Sequence, residues 1–166
     1  MSLLEQIGGI LKQYETPRAP TSDVSTHFDQ VASAVPSATL ADGIAHVLRS
    51  GPPSGFSQTV SELFDRADPS QKAGMLDKLL PAARPTSAAM LSSTAVNASA
   101  VTPEQAQQLS PGVVKQLADH AQSADPSVVD RLSEFYAQHP TLVKGIGVAA
   151  LTLVMSRISQ QHAANR

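Results

Sequence analysis

Helix starts recur along this chain in one local form, a Ser, Thr or Asp followed directly by Pro. The side-chain oxygen of the first residue can accept a hydrogen bond from a free amide of the first helical turn, and proline suits the next position because no amide hydrogen is needed there. Four such pairs precede apolar helical patterns, namely Asp68-Pro69, Thr102-Pro103, Ser110-Pro111 and Asp125-Pro126. The sequence therefore predicts helices that begin at residues 69, 103, 111 and 126.

Two of these starts also share the residues that follow them, at positions fifteen residues apart. Val113 and Val114 follow the first, Val128 and Val129 follow the second, and a Leu and an acidic residue come later in each copy. Helical solenoids repeat over about 33–47 residues because each unit is a pair of helices. The two similar segments are therefore a local duplication, or two helix starts that came to use the same residue types independently. We expect their Val and Leu positions to face the core.

The composition predicts a core built almost without aromatic side chains. Aromatic residues make up 4% of the 166 residues and Trp is absent, whereas apolar residues as a whole make up 42%. A core of Ala, Val, Leu and Ile suits closely packed helices better than stacked strands. We therefore predict an all-α fold, an array of short helices that forms a bundle, organised either as one compact core or as two lobes around a linker.

Composition shifts divide the chain into four segments. We predict an amphipathic N-terminal arm with a proline hinge, a helical lobe, an Ala/Ser/Thr-rich linker with one helical turn near 88–91, and a second helical lobe. Their boundaries are 1–20, 21–80, 81–101 and 102–162. The second lobe ends in a long apolar helix predicted at 141–160. Its candidate central residues are Leu142, Ile146, Ala149, Ala150, Leu153 and Val154.

The N-terminal arm has the spacing of a helix that binds through one face. Leu4, Ile7 and Leu11 recur at intervals of three and four, the pattern by which amphipathic helices anchor in grooves. Pro17 and Pro20 separate the arm from the following helix, since proline cannot supply a helical amide. The three apolar residues are therefore our candidate partner-binding residues. The alternative is that the arm folds onto its own lobe.

Charge and cysteine content narrow the function classes. Twelve basic and fourteen acidic side chains, scattered along the chain, give a net charge of −2, which disfavours nucleic-acid binding. The absence of cysteine excludes disulfides and thiol chemistry and is compatible with a reducing compartment. No secretory signal is evident at the start, and the uncharged run 145–156 is shorter than the roughly twenty residues of a bilayer span. We therefore expect a cytoplasmic protein.

No residue pattern in the sequence converges on a reaction. The histidines lie in separate segments without an HExxH pair, at positions 27, 46, 120, 139 and 162. Asp42 and His46 can share a helical face, but such a pair alone is more often solvated than metal-binding. Gly145 and Ala149 form a small-residue face that suits close helix packing. The sequence predicts no catalytic, cofactor-binding or metal-binding residue, and no cofactor.

Several short segments resemble bacterial helical proteins. The opening segment Met1–Lys12 resembles the start of YidB-like proteins. Leu40–His46, Phe56–Phe64 and Phe135–Lys144 resemble segments of a recurrent bacterial family of helical proteins without an assigned activity. The resemblance implies a helical protein of bacterial origin, and it supplies no catalytic residue to carry over.

Three functions remain open from the sequence. The first, which we predict, is a non-enzymatic protein that binds a protein partner or itself through the arm. The second is association with a membrane surface through the arm or the apolar segment 141–158, although the arm offers only Lys12 on its polar face. The third is a small-ligand binder or an enzyme, in which the fold would have to bring together His46, His120 and His139.

Overall fold

The computed structural model describes residues 2–16, 22–50, 55–83, 89, 91 and 101–165, and within these ranges the chain forms helices and no strand. The predicted all-α bundle is confirmed. The elements in chain order are α1 (Leu3–Gln13), α2 (Val24–Ala34), α3 (Ser37–Ser50), α4 (Gly55–Arg66), α5 (Pro69–Ala82), α6 (Pro103–Gln107), α7 (Pro111–Ala124), α8 (Val128–Gln138), α9 (Pro140–Val143), a 3-10 turn (Lys144–Ile146) and α10 (Val148–Ala164).

Three of the four predicted helix starts are confirmed. The Asp68 carboxylate accepts from the Gln71 amide at 2.9 Å, and the Gln71 side chain accepts from the Asp68 amide at 3.2 Å. Thr102 and Gln105 make the same reciprocal pair at the start of α6, and the Ser110 hydroxyl caps α7. Each cap satisfies an amide that the helix itself leaves unpaired.

The predicted start at residue 126 is wrong, because α8 begins at Val128. Asp125 Oδ1 accepts from the Ser127 amide at 3.1 Å and from the Ser127 hydroxyl at 2.6 Å. These contacts with the residue two positions on form a turn in place of a helix cap. Ser127 hydrogen bonding, with smaller help from Arg131, also lowers the pKa of the Asp125 carboxyl. The two similar segments therefore adopt two different local structures.

The long final helix predicted at 141–160 is interrupted. Gly147 has φ 98° and ψ 161°, a conformation open essentially to glycine alone, and it separates the 3-10 turn from α10. The small-residue face predicted from Gly145 and Ala149 does not form, because Gly145 lies in the 3-10 turn and Ala149 is exposed on α10. Gly145 instead adjoins a side chain of α4. A Cβ on Gly145 would lie 3.3 Å from Arg66 Cδ, and Arg66 Nη1 donates to the Gly145 carbonyl oxygen at 2.6 Å.

The break at Gly147 changes which face of the last helix is buried. Leu142 and Val154 are buried as expected, whereas Leu153 is 54% exposed and Ala149 is also exposed. The prediction that Leu153 and Ala149 lie at the centre of the bundle is therefore wrong. The buried face of α10 is formed by Leu151, Val154, Met155 and Ile158.

Helices from both predicted lobes build one core. Helix α3 of the first lobe packs against α8 and α10 of the second, and α4 of the first lobe packs against α7 of the second. Their apolar faces form a single buried cluster that also includes Leu11 of α1 and Phe28 of α2. The segments 21–80 and 102–162 are thus in direct contact along several helices.

Most of the predicted linker 81–101 lies outside the described residues. Its beginning does not, and α5 continues through Pro81 to Ala82, past the predicted boundary. Ala89 and Leu91 are helical and Leu91 is buried. The remainder of the helical turn expected near 88–91 falls on residues outside the described part.

Candidate functional site at helix α1

Helix α1 begins at a capping box that the sequence analysis missed. The Ser2 hydroxyl accepts from the Glu5 amide at 3.4 Å, and the Glu5 carboxylate accepts from the Ser2 amide at 2.9 Å. The signal was present as the S-x-x-E pattern ahead of an apolar run. The box and the acidic side chain at the positive end of the helix dipole both favour a helix that starts at Leu3.

The apolar face of α1 is docked on the rest of the chain. Ile7 and Leu11 are 3% and 1% exposed, and Tyr14, one further turn along, is 1% exposed. The side chain of Leu4 lies outside the described residues. Helix α1 contacts α2 and α10. Two of the three candidate partner-binding residues are therefore covered by the same chain, and their binding role stays a prediction that requires α1 to leave its seat.

We call this seat the α1 groove, the surface of α2 and α10 that carries His27, Gln30, Ser33 and Ser159. One buried hydrogen bond fixes α1 against α10: the Ser159 hydroxyl donates to the Leu11 carbonyl oxygen at 2.8 Å. This carbonyl lies in the last turn of α1 and also accepts from the Tyr14 amide at 2.9 Å. Ser159 itself is 1% exposed, so the bond is shielded from water.

A second polar contact fixes α1 against α2. The Tyr14 hydroxyl lies 2.9 Å from His27 Nδ1, and the two rings meet edge to face with centroids 5.9 Å apart. Burial raises the pKa of Tyr14, and the nearby Asp23 carboxylate raises it further. The phenol therefore keeps its proton at neutral pH, and the imidazole tautomer sets which of the two groups donates in this hydrogen bond.

A cavity of about 360 Å³ remains between α1 and α2. Its wall from α1 is partly apolar, whereas its wall from α2 is polar. The lining residues are Gln6, Ile7 and Ile10 from α1 and Asp29, Gln30 and Ser33 from α2. Asp29 also accepts from Lys144 Nζ at 2.9 Å, which ties this rim to the 3-10 turn. An open pocket therefore lies beside the docked helix, between α1 and α2.

The fold does not gather the histidines and acids that the sequence analysis considered. Asp42 accepts from the Gln161 side chain and lies 3.9 Å from Arg157 Nε, so its neighbours come from α10. His139 packs on the Phe135 ring, with centroids 4.6 Å apart. Among the described residues, no three His, Cys, Asp or Glu side chains are grouped as a metal site would require.

The residues that sequence reasoning missed are Tyr14, His27 and Ser159 as the polar contacts of α1. The helical spacing did predict Tyr14 on the apolar stripe of the arm, one turn beyond Leu11, but it did not predict its hydrogen bond with His27. The pairing of Ser159 with Leu11 has no counterpart in the sequence, because the two residues are 148 positions apart.

Comparison with known proteins gave no relative: no family model, no curated protein and no solved structure matches the chain. Within the described residues, no helix combines the length and the apolar content needed to cross a bilayer. The α1 groove is the site in this fold where a sequence-predicted recognition helix meets a complementary surface.

Proposed function

We propose that the protein is a non-enzymatic binding module that associates with a protein, either a partner or itself, through α1. The observation that supports this most is the seating of α1, whose apolar face fits a surface formed by two other helices. Helix-in-groove recognition between proteins uses the same parts, apolar anchors spaced three and four residues apart and a few polar contacts beside them.

The geometry separates the anchors of α1 from its polar contacts. Ile7 and Leu11 supply buried apolar surface, and each contributes roughly 1.5–3 kcal/mol when fully buried. The Tyr14 hydroxyl and the Leu11 carbonyl oxygen orient α1, because they form hydrogen bonds with His27 and Ser159 respectively. A surface that orients one amphipathic helix in this way can bind that helix from a separate molecule.

The test is binding between a chain that lacks residues 2–15 and a fluorescent peptide of residues 1–16. We expect saturable binding by fluorescence anisotropy, displaced by the unlabelled peptide. A peptide with Ile7→Asp and Leu11→Asp should not bind, because both changes place a charge against the buried surface. A matched peptide with Lys12→Gln should bind normally, since Lys12 is exposed.

Two results would contradict the proposal. If the shortened chain loses its helical circular dichroism and its cooperative unfolding, α1 is only a part of the core. If the shortened chain stays folded and the peptide does not bind, the groove does not recognise a separate helix. Peptide that instead sediments with anionic liposomes would support the membrane-surface alternative.

A further inference from the structure

In the structure the α1 groove is occupied by α1 itself. We infer that two copies of the chain associate by exchanging this helix, so that α1 of each copy occupies the groove of the other. The inference rests on the proposed function and names its partner, a second copy. The chain connects α1 to α2 through residues 14–23, and an exchange of α1 needs a change of path in this connection alone.

Every contact of α1 with the groove can be repeated between two chains without change. The Ser159–Leu11 hydrogen bond and the Tyr14–His27 hydrogen bond each join α1 to a residue beyond the connection. The apolar burial of Ile7 and Leu11 is transferred in the same way. The monomer and the exchanged dimer then differ only in the path of the connection, which is the condition that makes such exchange inexpensive.

Several features make α1 the element that leaves its seat most readily. It carries Gly8 and Gly9 within the helix, and each glycine costs about 0.5–1 kcal/mol relative to alanine at such a position. The pocket between α1 and α2 leaves Ile10 only partly buried. By contrast, α3 is packed against both α8 and α10. Local opening begins at elements with the fewest buried contacts.

The connection sets the concentration at which exchange appears. The ten residues between the helices, 14–23, span at most about 35 Å when extended. A helix tethered by so short a connection has an effective concentration on the order of mM at its own groove. The closed monomer therefore predominates in dilute solution, and the exchanged dimer grows as the protein concentration rises.

The absence of cysteine makes a direct test possible. Gln6 on α1 and Gln30 on α2 are both exposed and line the same cavity. A chain with Gln6→Cys is mixed with a chain with Gln30→Cys at increasing concentrations and treated with a short bismaleimide. We expect a covalent dimer whose yield rises with concentration.

The matched control pairs the Gln6→Cys chain with a Ser70→Cys chain, because Ser70 is exposed on α5 and does not line the cavity. This pair should give only background linking. A single chain that carries both Gln6→Cys and Gln30→Cys should link internally, which confirms that the two positions are close enough for the reagent.

The inference is overturned if the double variant links internally and the mixed chains give no more dimer than the control, even after warming to partial unfolding. A concentration-dependent dimer in light scattering that lacks the α1 link, and that Leu153→Asp abolishes, would place the interface on the exposed face of α10 and would also overturn it. Neither result affects whether the α1 peptide binds to the shortened chain, so that experiment tests the proposed function separately.

Discussion

At the scale of single residues, Tyr136 stands out because its buried hydroxyl has no hydrogen-bond partner among the described residues. The residue is 0% exposed, and no described residue shares a hydrogen bond with the hydroxyl oxygen. The ring fills space within the core and meets Phe135 edge-on, with centroids 5.9 Å apart. An unsatisfied buried hydroxyl costs about 1–3 kcal/mol, so the ring stabilises the fold while its polar atom opposes it.

We predict that Tyr136→Phe raises the free energy of unfolding by about 1 kcal/mol, because it keeps the ring and removes the unpaired hydroxyl. Urea unfolding followed by circular dichroism measures the change. Tyr14→Phe is the matched control, since it removes a hydroxyl that is hydrogen-bonded to His27, and it should lower the stability by about 1 kcal/mol. A loss of stability in the Tyr136 variant would show that its hydroxyl has a partner.

The two tyrosines also predict how stability depends on alkaline pH. Burial raises the pKa of Tyr136, and burial followed by the Asp23 charge raises that of Tyr14, both from an ordinary value of 10.0. The folded chain therefore holds both phenol protons to a higher pH than the unfolded chain. The resulting stabilisation is present in full below about pH 10 and is lost as the pH rises above it.

The measurement is the ultraviolet absorbance of phenolate during an alkaline titration, to which only these two tyrosines contribute. We expect the folded chain to show little phenolate at the pH where the urea-unfolded chain is half ionised. The Tyr14→Phe variant reports Tyr136 alone and should resist ionisation until the chain unfolds. Ionisation of that variant near pH 10 while it remains folded would contradict the burial of Tyr136.

At the scale of secondary-structure elements, Gly147 decides how the chain enters α10. Its φ of 98° ends the 3-10 turn and lets Val148 begin a new helix in a new direction. Around Gly147 there is open space, since a Cβ built there meets nothing within 4 Å. Any cost of a side chain at this position therefore comes from the backbone conformation and not from crowding.

We predict that Gly147→Ala lowers the free energy of unfolding by about 1–3 kcal/mol through backbone strain. Gly9→Ala is the matched control, because Gly9 is also free of neighbours within 4 Å but lies inside a helix. That substitution should raise the stability by about 0.5–1 kcal/mol. Thermal unfolding of the two variants beside the unchanged chain measures both, and equal effects would contradict the assigned role of Gly147.

At the scale of the whole molecule, the two predicted lobes depend on each other. The face of α3 is covered by α8 and α10, and that of α4 by α7, so each half carries apolar surface that only the other half buries. We predict that residues 22–83 and residues 101–165, prepared separately, have little helical structure by circular dichroism and no cooperative unfolding. Cooperative unfolding of either fragment alone would show an independent core.

Mixing the two fragments is the complementary measurement. We expect them to recover helical signal together, because the missing surface is supplied by the other fragment. The same mixture with Leu132→Asp in the second fragment should not recover it, since Leu132 is fully buried on α8. An exposed substitution on that helix, Glu134→Gln, serves as the matched control.

Much of the secondary structure could be predicted from the sequence, because its causes are local. The starts at Pro69, Pro103 and Pro111 depend on side chains within a few residues of the amides they satisfy. The start predicted at Pro126 failed although its cause is local too, because Asp125 accepts from the amide and hydroxyl of Ser127 and does not cap the helix. Two competing local structures were available to one sequence pattern.

The apolar residues of the candidate site could be predicted from the sequence, but the surface that they contact could not. The anchors Ile7 and Leu11 followed from their spacing, but their docking depends on α2 and α10, and Ser159 is 148 residues from Leu11. Whether an amphipathic helix stays free or packs on its own chain depends on surfaces that distant segments form together. No window of sequence contains that information.

The sequence by itself determined the all-α class, the amphipathic arm and three of the four marked helix starts, since these depend on hydrogen bonds and periodicities within one or two turns. Only the tertiary structure decided that the lobes share one core, that the last helix breaks at Gly147, and that Ile7 and Leu11 are buried in the monomer. The physical reason is that the hydrophobic effect is non-directional. An apolar helix face can therefore pack against any other apolar face, and the arrangement of all the helices determines which one it contacts.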